Sequence, residues 1–308
     1  MSGTYHSASY SLLSFLLQND HEIIALTNVA AEESRAAASR SALIGELEPL
    51  AHLKNEYEGR NDQDVVMRKL SWLESQGYNQ MRRVRGDGEC FYRAFLYTAL
   101  ERLHLERNKD EHEGLRSTAQ ATIDSFDSVG FQKLVTEDFV DAFMDLLNKS
   151  LTTTAQDLLD AFQNAETSNA TVVFARLAAS SYIRAHGMAF EPFLELGPGQ
   201  DLISWVSQDV EAMGKDADQP AIIALVLALG IPVRIAYLDR SDGGGGASEE
   251  ESSGQRVQKI DWHEMDPEDL NLMMGEEGKT RKAFKKPITL LYQPGHYTIL
   301  YPTAAHAN

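Results

Sequence analysis

Cys90 is the only cysteine in 308 residues, and it lies in Arg85-Gly-Asp-Gly-Glu-Cys-Phe-Tyr-Arg-Ala-Phe95. Gly86 and Gly88 permit positive φ and close backbone approach, whereas Phe91, Ala94, Phe95 and Ala99 recur at helical spacing. The pattern predicts a helix with Cys90 in, or just before, its first turn. There the unsatisfied N–H groups and the positive end of the macrodipole favour thiolate over thiol. A nearby imidazolium adds to that effect, and together they lower an ordinary thiol pKa of about 8.5 by several units. The glycines flanking Asp87 leave its amide and that of Cys90 free to converge on an oxyanion. A lone cysteine is, however, more often a small buried hydrophobe. This stretch by itself leaves both readings open.

A second group lies near the other end, in Ile288-Thr-Leu-Leu-Tyr292, Gln293-Pro294-Gly295-His296 and Tyr297-Thr-Ile-Leu-Tyr301. Two β-rich runs around a Pro-Gly turn predict a hairpin with His296 at the start of its second strand. Side chains at i and i+2 share a face, so Thr298 is placed to hydrogen-bond the imidazole that His296 would present to a thiolate. A histidine in such a turn is by itself more often solvated. A cysteine nucleophile elsewhere in the chain gives it a task as general base.

The two blocks, Gly-Asp-Gly-Glu-Cys-Phe-Tyr-Arg-Ala-Phe and Tyr-Gln-Pro-Gly-His-Tyr-Thr-Ile-Leu-Tyr, resemble the catalytic blocks of the otubains. These are papain-like deubiquitinating cysteine peptidases of the OTU class. The likeness continues through Thr136 to Leu147, Asp157 to Phe162 and Ala221 to Gly230, and spans about residues 45 to 240 and 286 to 302. It implies that Cys90 is the nucleophile, His296 the general base, and Asp87 the acid whose loop shapes the oxyanion site. Thr298 departs from the family pattern, which has an acidic or amide side chain two residues after the histidine. A hydroxyl can accept the Nδ1 proton, but it brings no charge to an imidazolium.

Composition narrows the partners. A formal charge of −18 disfavours nucleic acid and anionic membrane, both of which call for clustered Lys and Arg, and suits either a basic protein partner or simple solubility. One cysteine excludes an internal disulfide and any CxxC zinc or redox site, and fits a reducing compartment, the cytoplasm or the nucleus. The histidines form no metal-ligand spacing, so no metal is expected, and the hydrolysis that the resemblance implies requires no cofactor. The apolar segment Tyr10 to Leu17 is short and lacks a basic flank, which argues against a signal peptide. The longest apolar run, Ala221 to Ile231, is too short to span a bilayer.

The expected fold is α+β and papain-like, with a helical lobe over about 55 to 230 packed on a small sheet of strands near 233, 288 and 297. Residues 1 to 45 are helix-favouring but poor in large apolar side chains, which predicts a mobile extension, and the resemblance adds a ubiquitin contact for it. Val66, Leu70 and Leu73 mark a helix ended by Gly77. Thr136 is expected to cap a helix carrying Phe139, Phe143, Leu146 and Leu147, and Asp201 to Met213 to form another around Trp205. Asp218 and Pro220 begin a nearly all-apolar helix ended by Gly230 and expected to lie beneath the sheet. Residues 241 to 286 open with Ser-Asp-Gly-Gly-Gly-Gly and Glu-Glu-Glu and read as a flexible surface insertion in a catalytic domain running from 46 to 302, with 303 to 308 as a tail.

If the resemblance holds, the substrate is an isopeptide between the ubiquitin C-terminus and a lysine. Cys90 attacks the carbonyl, His296 protonates the departing amine, and water resolves the thioester. The partners are then ubiquitin and polyubiquitin chains, with ubiquitin-conjugating enzymes beside them, for a monomeric protein. Two other readings stay open: a weakly active or inactive ubiquitin-binding module, motivated by Thr298, and a papain-like peptidase for another ubiquitin-like modifier.

Overall fold

The computed structural model describes residues 41–60, 63–194, 196–239, 259–274 and 282–303. The expectations for the extension before residue 41, for the glycine- and glutamate-rich run and for the tail beyond 303 therefore lie outside the described residues. From Ala42 onward the chain belongs to one compact unit. Leu43 and Ile44 are already buried, and Ile44 bridges to Val84, so the core begins slightly before residue 46.

Six strands, β1 (Glu48–Pro49), β2 (Tyr78–Arg82), β3 (Val233–Tyr237), β4 (Asp261–Met265), β5 (Ile288–Gln293) and β6 (His296–Pro302), form one sheet in the order β1-β2-β6-β5-β3-β4. Among the described residues only the β3–β5 pair is parallel. Helices α1 (Ala51–Tyr57) and α2 (Gln63–Ser75) precede β2. Between β2 and β3 come α3 (Cys90–Glu106), α4 (Lys109–Ser125), α5 (Lys133–Lys149), α6 (Ala155–Gln163), α7 (Ala165–Ala185) and α8 (Gln219–Leu229). α9 (Pro267–Met273) follows β4.

The period-2 alternation of the strands divides the core. Ile288, Leu290, Tyr297 and Ile299 face the large helical lobe, whereas Leu291, Leu300, Met81 and Ala236 face Leu53, Val66, Leu70 and Leu73 of α1 and α2. Sequence signals explain several boundaries. Asp218 accepts from the Ala221 N–H at 3.1 Å to start α8, and Gly230 ends it at φ 67°. Thr154 and Asp157 form a reciprocal capping box on α6.

Four expectations need correction. Among the described residues the sheet has six strands because β1, β2 and β4 join the three expected ones; β1 is two residues long, and β2 and β4 are short and rich in polar residues, so none shows clean alternation. α8 is buried, but it packs chiefly on α7, with α4 and α9 beside it, and the helix against β5 and β6 is α3. Thr136 lies inside α5, its Oγ1 donating to the Lys133 carbonyl, and Gln132 occupies the cap position. Leu202–Trp205 makes one α-turn before the chain widens into a π-turn over Val206–Val210, instead of forming one continuous helix to Met213.

The insertion reading also fails where residues are described. β4 pairs with β3 along its full length, Met265 and Ile260 are buried, and Phe284 is wholly enclosed beneath the Arg102 guanidinium. Charged residues alternate with apolar anchors in this segment, so average composition hides its part in the core.

Candidate active site

The loop from β2 into α3 is fixed from several sides. Asp87 accepts from the Glu89 N–H at 3.0 Å and from Nη1 of Arg93 at 2.9 Å. The wholly buried Arg93 also donates to Ser168 Oγ and Asn169 Oδ1. Asp87 thus anchors the loop. Gly88 has φ 84°, and a Cβ there would lie 2.4 Å from the Gly214 carbonyl carbon, so two chain segments meet here at a separation only glycine allows. The Arg93 N–H gives the first helical bond to the Glu89 carbonyl. The amides of Cys90, Phe91 and Tyr92 precede it and have no helical acceptor.

Cys90 opens α3 as expected, but the state of its thiol is not the expected one. The residue is 2% exposed, and burial pushes its pKa up to about 11, with the Asp216 and Asp87 carboxylates adding to the rise. Backbone hydrogen bonds from Tyr297 and Phe91 to the sulfur work in the other direction and are outweighed. Burial thus opposes the thiolate that the helix N-terminus favours.

His296 begins β6, paired with Gln293 across the Pro294-Gly295 turn, in which Gly295 has φ 77°. The ring lies against the loop that leads to Cys90: a Cβ on Gly86 would stand 3.4 Å from Nδ1. Burial, then the Arg83 charge, holds its pKa below the ordinary value, with Asp216 and Asp87 pulling the other way. Burial thus works against the charged form of both the thiol and the imidazole. Thr298 is buried on the strand face shared with His296, opposite Leu291. Among the described residues no hydrogen bond joins its hydroxyl to the ring.

The hairpin separates two clefts. One, of about 280 Å³, is lined by Asp216, Asp218, Tyr237, Tyr292 and Tyr297. The other, of about 340 Å³, is lined by Tyr57, Arg60, Arg83, Gln293 and His296. The sequence reading named Cys90, His296, Asp87 and Thr298. It missed Asp216, whose charge acts on both thiol and ring, and Arg83, which opposes it at the ring. Neither sits in a motif, because their effect comes from tertiary proximity.

A single thiol that heads a buried helix and accepts a hydrogen bond from the backbone of Tyr297, the residue after a strand-opening histidine, is the equipment of a papain-like thiol peptidase. The chain belongs to the otubain family: the family described as Peptidase C65 Otubain matches residues 36–302. It is 31% identical over 270 residues to OVARIAN TUMOR DOMAIN-containing deubiquitinating enzyme 1 of Arabidopsis thaliana, covering 86% of this chain and 82% of that protein. Ubiquitin thioesterase OTUB1 of Homo sapiens is 32% identical over 265 residues, covering 86% and 84%. Among solved structures, h/ceOTUB1-ubiquitin aldehyde-UBCH5B~Ub is similar at a TM-score of 0.69 and 26% identity, covering 93% of this chain and 99% of that chain. The corresponding assembly with UBC13~Ub gives a TM-score of 0.68 at 26% identity, covering 92% and 98%.

Proposed function

We propose that this protein is a thiol-dependent deubiquitinase that hydrolyses the isopeptide bond between the ubiquitin C-terminus and a lysine, with Cys90 as nucleophile and His296 as base. The observation that carries this reading is the placement of Cys90 at the head of α3, under the backbone of Tyr297, the neighbour of His296. His296 takes the Sγ proton as sulfur attacks the carbonyl, and the oxyanion is met by the amides at the start of α3. Collapse of the tetrahedral intermediate breaks the C–N bond, and His296 returns the proton to the lysine amine. Water, deprotonated by His296, then attacks the thioester and releases the ubiquitin carboxylate and the thiol. Asp87 holds the loop that presents these amides, and Thr298, on the same strand face as His296, brings the ring no charge.

Ubiquitin and ubiquitin-conjugating enzymes are the partners this reading gives the chain, in keeping with relatives named as ubiquitin thioesterases and neighbours solved with ubiquitin aldehyde and charged conjugating enzymes. A single thiol that must stay reduced suits the cytoplasm or the nucleus. A second reading, a ubiquitin binder with little turnover, is favoured by the raised Cys90 pKa and the uncharged Thr298. A ubiquitin probe with a C-terminal electrophile decides between them. Labelling of wild type and not of Cys90→Ser, with di-ubiquitin hydrolysis lost in the serine variant while ubiquitin affinity persists, is the expected result. Binding without labelling supports the binder. Full hydrolysis by Cys90→Ser removes Cys90 from the mechanism.

A further inference from the structure

Behind Cys90 lies a charged junction to which neither the chemistry nor the sequence reading gives a task. Arg176, in the middle of α7, is wholly buried, and its guanidinium is spent on two segments at once. Nε donates to Glu89 Oε2 at 2.8 Å and Nη2 to the Gly88 carbonyl at 3.0 Å, both in the nucleophile loop. Nη1 donates to the Val210 carbonyl at 2.8 Å and Nη2 to the Lys215 carbonyl at 2.6 Å, both in the segment that leads to Asp216. Glu89 completes the ring of contacts, because its other oxygen accepts from the Gly214 N–H. The Tyr92 ring stacks over the guanidinium at 4.3 Å.

We propose that Arg176 and Glu89 are positioning residues that clamp the Gly88-Glu89-Cys90 backbone to the Val210–Lys215 segment and so set the angle at which the α3 amides meet the substrate oxyanion. The inference rests on the reading of Cys90 as nucleophile. Its physical basis is peptide-plane geometry. The Gly88 carbonyl is held by Arg176 and the Glu89 carbonyl by the Arg93 N–H, so both planes flanking Glu89 are fixed on their carbonyl sides. The Glu89 N–H is tied to Asp87, which leaves the Cys90 N–H as the next donor along the loop. Because Gly88 and Gly214 touch backbone to backbone, a shift of either segment is transmitted to the other. A misplacement of about 1 Å in such an array costs on the order of a hundredfold in rate.

Glu89→Gln tests this without a change of volume. A carboxylate offers an acceptor to each side, to Arg176 and to Gly214; an amide has one carbonyl, so its NH2 must face a donor on one side. Arg176→Lys keeps the charge but cannot reach all four acceptors from a single nitrogen. For a ubiquitin–lysine isopeptide substrate, Glu89→Gln is expected to lower kcat by about 10- to 100-fold with KM within about twofold. Alkylation of Cys90 by iodoacetamide, which needs no oxyanion donor, should be as fast as in wild type or faster. Arg176→Lys should show the same split. Unchanged kcat in Glu89→Gln overturns the proposal. So does a parallel loss of kcat, substrate binding and melting temperature, or failure of both variants to fold, since the junction would then serve folding alone. Cys90→Ser measured alongside separates the two readings: hydrolysis surviving there sinks the nucleophile assignment and not the clamp.

Discussion

Replacing Thr298 by aspartate asks what holds the His296 ring and what charge would do to it. Thr298 is 3% exposed and lies on the ring's face of β6, while the ring's pKa is held down by burial and Arg83 and only partly restored by Asp216 and Asp87. A carboxylate within about 4 to 6 Å raises a neighbouring base by about 1 to 3 pKa units. Each unit corresponds to about 1.4 kcal/mol. Burial works against the gain, because a dehydrated carboxylate ionises there only as the partner of the imidazolium, which points to the lower end of that range. The expectation is about one unit, or about a tenfold rise in kcat/KM near neutral pH. With the Cys90 pKa pushed up to about 11 and that of His296 held below the ordinary value, the acid limb of kcat/KM is expected to report protonation of His296. Thr298→Asp should therefore move that limb upward by about one pH unit, whereas Thr298→Ala lowers activity by no more than a few-fold, since among the described residues no hydrogen bond joins the hydroxyl to the ring. The assay is di-ubiquitin hydrolysis across the pH range, with melting curves for each variant. A folded Thr298→Asp protein with an unmoved acid limb and an unmoved rate would refute the reasoning, and the ring would then be held from another side.

Two further outcomes follow from burial. The rate of Cys90 alkylation by iodoacetamide in the free protein should rise with pH towards a midpoint near 11, because folding favours the protonated thiol throughout the neutral range; a midpoint at or below neutrality would mean that the helix N-terminus outweighs desolvation. Phe284→Ala should destabilise the protein by about 3 to 5 kcal/mol, read as a lowered denaturation midpoint, since the ring is fully enclosed and faces Arg102 at 5.1 Å; a change too small to resolve would restore the view of this segment as a surface excursion.

What could be read from the sequence is what is written in contiguous residues. Cys90 follows two glycines and opens an apolar helix, His296 follows a Pro-Gly turn between β-branched runs, and both ends of α8 carry their cap residues in the chain. β2 and β4 escaped because their partners supply the information: Asn79 and Gln80 look like loop residues until β6 lies beside them, and Trp262 and Met265 look stranded until β3 does. The ionisation of the site is further from local pattern. The first-turn position of Cys90 pulls its pKa down and its enclosure pushes it up, and enclosure depends on α3 being covered by β5 and β6, strands nearly two hundred residues away. Arg176 is the limiting case. It sits on an ordinary helical face 87 positions from Glu89, and only the approach of Gly88 to Gly214 turns one buried cation into the junction of two loops. The motifs thus place the thiol and the imidazole, whereas the charges around them and the hold on the loop amides come from what the fold stacks behind them. A chain could keep both motifs intact and still lose turnover through Glu89 or Arg176 alone.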